Sequence, residues 1–169
     1  MSGHLAVGTT QVITYRVGRE NMVQRLLPGV AEFVRKPEVM ASGWLLGVCE
    51  WPAMLALRSY MRDDECSLGT RFELTHLAPV PAGATLTVRA RCERVEGRYS
   101  EWQVDASDDL ELVASGVLGF CVVSLERFAS RRLEPKSAFL RQQDAPHRGD
   151  HSQRVAAACG ALAGAVAPA

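Results

Sequence analysis

From Ala41 to Leu57 the chain is apolar almost without interruption. The run is too long for an ordinary strand and predicts a helix. It starts near Ser42 and ends near Tyr60, before the polar Arg62-Asp63-Asp64-Glu65. A helix with so little polar surface is expected to be buried on all sides. Pro52, well inside it, removes one backbone hydrogen bond. Glu50 is its one carboxylate. The neighbours at i±3 and i±4 are Leu46, Gly47, Ala53 and Met54, none of them a cation. A buried lone charge is costly, so Glu50 must find a partner elsewhere, shift its pKa or reach solvent.

The rest of the chain alternates with the period of strands. Thr9 to Val17 is rich in Thr, Val, Ile and Tyr and predicts a first strand. Asn21 to Leu27 suits one short helical turn before Pro28-Gly29. Arg71 to Ala78 sets Phe72, Leu74, His76 and Ala78 on one face, and Pro79 and Pro81 end it. Ala84 to Val95 sets Leu86, Val88, Ala90 and Cys92 against polar neighbours. A turn at Glu96-Gly97 leads into Arg98 to Ala106, with Ser100, Trp102, Val104 and Ala106 on one side. Asp108-Asp109 makes the next turn. Leu112 to Phe128 is a long apolar strand with bends expected at Gly116 or Gly119. One long central helix followed by antiparallel strands predicts an α+β architecture, with the sheet wrapped around the helix. An open sheet edge needs cover, and a second copy of the chain would supply it. Residues 129–169 change character, polar to Asp150 and then mostly Ala and Gly. They read as a tail, partly disordered, behind a domain over residues 1–128.

Composition narrows the function. Lys+Arg and Asp+Glu number 19 each in 169 residues, which gives no electrostatic case for nucleic acid or an anionic membrane. The five cysteines contain no Cys-x-x-Cys pair and the four histidines are scattered, so no metal site is expected. The start has no basic segment followed by an apolar one, and the cysteine usage suits a reducing cytoplasm.

Three polar residues stand out against apolar surroundings. Ser42 reads either as a helix cap or as a hydroxyl beside N–H groups able to hold an oxyanion. His76 reads either as a core histidine with its hydrogen bond satisfied or as an acid or base near neutral pH. Glu50 is the unpaired carboxylate. Ser42 and Glu50 are eight residues apart, a rise of roughly 12 Å on a straight helix. They meet only if the chain folds back near Ser42 or if the residues come together across a subunit boundary.

Several stretches together carry a family resemblance. They are Pro37-Glu38-Val39-Met40-Ala41-Ser42-Gly43, Gly47-Val48-Cys49-Glu50-Trp51, Ser67-Leu68-Gly69-Thr70, Thr75-His76-Leu77-Ala78, Val95-Glu96-Gly97-Arg98 and Leu125-Glu126-Arg127-Phe128. In this order and spacing the chain resembles the fluoroacetyl-CoA thioesterase family of hotdog-fold proteins, over about residues 8–128. The resemblance implies a hotdog fold, a homodimer or higher assembly, and hydrolysis of a small acyl-CoA, fluoroacetyl or another short acyl group. Coenzyme A enters as part of the substrate, with no separate cofactor. The family's catalytic Thr/Ser, Glu and His fall on Ser42, Glu50 and His76. Substrate contacts are implied at Gly43, Gly69, Phe33 and Phe120. Two departures matter: serine stands at position 42 where the best-known member has threonine, and Phe120 stands where that member has an arginine. Restoring that cation by Phe120→Arg is expected to shift preference toward small polar acyl groups with little change in fold. Open beside this reading are a hotdog enoyl-CoA hydratase or dehydratase, and a non-catalytic module that binds acyl-CoA or a carrier-bound acyl group.

Overall fold

The computed structural model describes residues 4–144. Five strands form one antiparallel sheet in the order β1-β3-β4-β5-β2: β1 (Thr10–Arg16), β2 (Glu65–His76), β3 (Thr85–Glu96), β4 (Tyr99–Ser107) and β5 (Leu112–Ser124). Between β1 and β2 come a short 3-10 turn (Arg19–Asn21), α1 (Val23–Leu26), α2 (Ala31–Val34) and the long α3 (Ser42–Arg58). This is the α+β plan expected from the alternation, with α3 laid across one face of the sheet.

The core is the seam between α3 and that face. Leu45, Cys49 and Ala53 of α3 are fully buried, as are Leu86, Val88 and Ala90 of β3 and Trp102 and Val104 of β4. The alternation puts every second residue of β3 and β4 inward. On β4 two inward polar groups satisfy one another: the Trp102 indole N–H donates to Ser100 Oγ at 2.9 Å. Burial on this scale is the dominant stabilising term.

α3 departs from expectation in one respect. It is buried on one face only. Trp44, Trp51, Met54 and Leu55 lie between 41% and 43% exposed on the other. The residues are apolar all round, yet that second face stays half-exposed among the described residues.

Segment ends also differ. β2 begins at Glu65 rather than Arg71, because it pairs with β5 from Glu65↔Ser124 onward. The tight turn is Gly97-Arg98, one residue later than expected, with Gly97 at φ 58°, a conformation that glycine takes without strain. β5 stops at Ser124. Leu125-Glu126-Arg127-Phe128 forms the helical turn α4 instead of extending the strand, which fits the good helix propensity of Leu, Glu and Arg.

The chain divides into two compact units between Glu126 and Arg127. In the second, the described part of the tail, expected to be partly disordered, is helical: a π-helical segment (Ala129–Leu133) leads into α5 (Glu134–Asp144). The Ala- and Gly-rich remainder of the expected tail lies outside the described residues.

Candidate active site

The start of α3 is anchored by the chain that precedes it. The Ala41 N–H donates to the Asn21 carbonyl (2.9 Å) and the Met40 N–H to the Val80 carbonyl (2.8 Å). Asn21 is itself buried and held, since its Oδ1 accepts from the Tyr15 hydroxyl (3.0 Å) and the Gly18 N–H (2.8 Å). The sequence reading missed this brace; its only sign is a lone Asn in a short connecting segment.

The N-cap is Ala41, with no side-chain cap bond, and Ser42 is the first helical residue. Ser42 therefore does not cap the helix. Its hydroxyl is turned to β2, where Oγ lies 3.1 Å from His76 Nδ1, within hydrogen-bonding distance. When the hydroxyl donates to Nδ1, the imidazole proton sits on Nε2. Nε2 is buried and has no hydrogen-bond partner among the described residues. A buried polar atom left unpaired is costly and calls for an explanation.

β2 reaches the site through a bulge. Its register with β5 shifts between Gly69 and Arg71, and a bulge re-aims the side chains beyond it. Phe72, Leu74 and His76 consequently share the face on which Gly69 also lies. The face expected for these three from alternation is the observed one. With Ser42, Gly43, Leu45 and Leu46 of α3 they line a pocket of about 280 Å³. Phe72 is 47% exposed, because it forms the open wall of that pocket rather than part of the sealed core. Leu46, Phe72 and Leu74 were not singled out as site residues, although Phe72 and Leu74 precede His76 at strand spacing.

Glu50 is one edge of α3 away, beside Gly69. A Cβ at Gly69 would stand 2.5 Å from Glu50 Oε1 and 2.5 Å from Phe72 Cζ. That glycine leaves the space both side chains occupy. Burial pushes the Glu50 carboxyl above its ordinary value, as expected for a carboxylate losing water without gaining a cation. Within one chain the structure joins Ser42 to His76 and sets Glu50 against Gly69; it does not bring Glu50 into the Ser42–His76 hydrogen bond.

The other two residues named from the resemblance stand apart from the pocket wall. Phe33 is half-buried on α2, with the Lys36 ammonium 5.4 Å from its ring centre. Phe120 is 1% exposed in the hydrophobic core, opposite Gly69 and Ser100 on the neighbouring strands. Among the described residues, no group of three or more His, Cys, Asp or Glu side chains could hold a metal ion. No helix among them is long and apolar enough to cross a membrane.

The chain is similar to known proteins in sequence and in fold. The chain is 36% identical over 131 residues to a fluoroacetyl-CoA thioesterase of Streptantibioticus cattleyicolor, spanning 78% of this chain and 94% of that one. Among solved structures it is similar to the fluoroacetyl-CoA thioesterase FlK, with a TM-score of 0.74 and 33% identity, covering 85% of this chain and all of that one. A hot-dog-like protein from Thermanaerovibrio acidaminovorans shares the fold at TM-score 0.65 and 26% identity, over 76% of this chain and 91% of that one. The family model for fluoroacetyl-CoA-specific thioesterases matches residues 18–126, and the chain, with its sheet wrapped on α3 in the hotdog manner, belongs to that family of thioesterases.

Proposed function

We propose that this protein hydrolyses a short acyl-CoA thioester to the free acid and coenzyme A, and that Ser42, His76 and Glu50 carry the reaction. The observation that carries the reading is the Ser42–His76 hydrogen bond at the polar end of an otherwise apolar pocket. The thioester carbonyl lies beside the first N–H groups of α3, at Ser42 and Gly43. Those groups have no partner within the helix and carry the positive end of its dipole. They stabilise the oxyanion as it forms. The Glu50 carboxylate takes a proton from water as the water oxygen bonds to the carbonyl carbon. The carbon–sulfur bond then breaks, and the thiolate leaves with a proton passed through His76. Ser42 holds the imidazole in register. Coenzyme A is part of the substrate, and the steps use the chain's own side chains and backbone N–H groups.

Glu50 completes the site from a second copy of the chain. Three observations support a homodimer: the eight-residue offset between Ser42 and Glu50 on one helix, the apolar face of α3 at Trp44, Trp51, Met54 and Leu55, and the outer edge of β2, which no strand among the described residues pairs. An unpaired strand edge and a large apolar face are both costly to leave in water. The unpartnered His76 Nε2 is the atom left to hand a proton to the leaving thiolate. The free thiols of Cys49, Cys66, Cys92 and Cys121 suit a cytoplasmic setting.

The test is release of free thiol from a panel of short acyl-CoAs by the purified protein. Turnover above buffer is expected. Folded protein with no thiol release on any of them would overturn the reading. Absorbance loss on an enoyl-CoA without thiol release would move it to hydration chemistry.

A further inference from the structure

The proposed thioesterase site leaves its acyl group unnamed, and the pocket's walls bear on it. Beyond the Ser42–His76 end, the lining is Leu45, Leu46, Phe72 and Leu74, with no charged side chain. At about 280 Å³ it falls at the small end of ligand sites, which run from about 300 to 1,000 Å³. The Glu50 carboxyl and the Phe72 ring that walls the pocket both lie over Gly69, each 2.5 Å from where a Cβ there would stand. An acyl group with its own carboxylate would find no Lys or Arg among these lining residues. A carbon–fluorine dipole would find no cation or side-chain donor in this wall to reward it over a methyl group.

Resting on the thioesterase reading, we infer that the preferred substrate carries a short, wholly apolar acyl chain of a few carbons, rather than a fluorinated or carboxylated one. The acyl chain lies along Leu46, Phe72 and Leu74 while its carbonyl stays at the start of α3. Each added methylene removes apolar surface from water until the pocket is full.

The experiment compares kcat/KM for acetyl-, fluoroacetyl-, propionyl-, butyryl-, succinyl- and decanoyl-CoA. It is paired with calorimetric binding of the matching non-hydrolysable thioethers. From acetyl to butyryl, kcat/KM is expected to rise about fourfold per methylene, the transfer value of one buried methylene. Decanoyl should fall below butyryl because it overfills the pocket, and succinyl should fall at least about a hundredfold below butyryl, the scale of discrimination a mismatched polar group brings. Phe72→Ser opens a half-exposed wall and leaves the sealed core alone; it should flatten the chain-length slope in both measurements. A flat or falling slope from acetyl to butyryl, or fluoroacetyl preferred over butyryl in thioether binding, would overturn the inference while thiol release leaves the thioesterase reading intact. Binding that rises with chain length without thiol release would uphold the apolar acyl site and remove the hydrolysis.

Discussion

Two carboxylates, Glu50 in the middle of α3 and Glu65 at the start of β2, have opposite surroundings. Glu65, 2% exposed at the first residue of β2, is fully provided for. It accepts from the Arg62 backbone N–H (2.9 Å) and from the Arg98 guanidinium, with a second arginine, Arg62, 3.4 Å away. Those bonds, the Arg62 N–H first, hold its pKa down to about 2. Glu50 has lost water without gaining a cation, and its pKa is raised. The same functional group is thus locked as an anion in one place and left ready to exchange a proton in the other. Pairing marks structure; an unpaired carboxyl beside an open pocket is the pattern of a functional site.

The comparison is broken most severely by removing the unpaired group. Glu50→Gln and His76→Ala should each lower kcat/KM by about a hundredfold or more, the usual scale for losing a positioned acid or base. Glu50→Gln should leave the melting temperature unchanged or raise it, since an uncompensated charge leaves a partly buried place. Thiol-release kinetics beside thermal melts check both. Near wild-type turnover by Glu50→Gln would end its catalytic assignment. Ser42→Ala should cost less than either, because His76 keeps its proton chemistry and loses its orienting bond; Ser42→Thr keeps the hydroxyl and should be tolerated.

Gly69→Ala is a gentler probe. The new methyl displaces two movable side-chain ends, Glu50 Oε1 and the Phe72 ring. The expected result is a reduced kcat with the sheet intact by circular dichroism. A variant that keeps full kcat would show that the Glu50 position is not critical.

The fold was legible because its signals are local. Inward alternation on β3 and β4, the length of the apolar run and the prolines after β2 each point to one answer. Ser42, Glu50 and His76 were legible as polar residues on apolar elements. What the sequence hid depends on contacts between distant segments. Nothing near Ser42 shows that its hydroxyl passes over the helix cap to reach His76. Nothing near Thr70 announces the bulge that carries Gly69 and Phe72 to one face. Helix periodicity could not separate the sealed face of α3 from the open one, because Trp44 and Trp51 are as apolar as Leu45 and Val48. Phe120 shows the same gap. It is 1% exposed in the core, so Phe120→Arg would bury a guanidinium there, opposite the Gly69 position beside which Glu50 sits. A clear loss of melting temperature is now expected, in place of the small change in fold read from sequence.

The smallest effects on activity belong to the paired carboxylate. Glu65→Gln should lower the melting temperature while kcat/KM at neutral pH stays close to wild type. The pH dependence has a definite sign. The Glu65 pKa falls from 4.5 in the unfolded chain to about 2 in the folded one. Its stabilising contribution is therefore complete above pH 4.5 and is lost as the pH falls toward 2. Glu50 works the other way. Its raised pKa makes ionisation oppose folding as pH rises, and sets the acid limb of the kcat/KM profile above 4.5, the ordinary carboxyl value. Melting curves and rate profiles across the acid range separate the two groups.

The central claim is that the unpaired Glu50 of one copy serves the Ser42–His76 pair of another. Subunit mixing tests it most directly. Glu50→Gln and His76→Ala proteins, each inactive alone, are combined under conditions that exchange subunits. The account predicts that thiol release returns on mixing, because each mixed dimer holds one site with both wild-type residues. Mixed dimers that form, by mass measurement, and remain as inactive as the parents would contradict it.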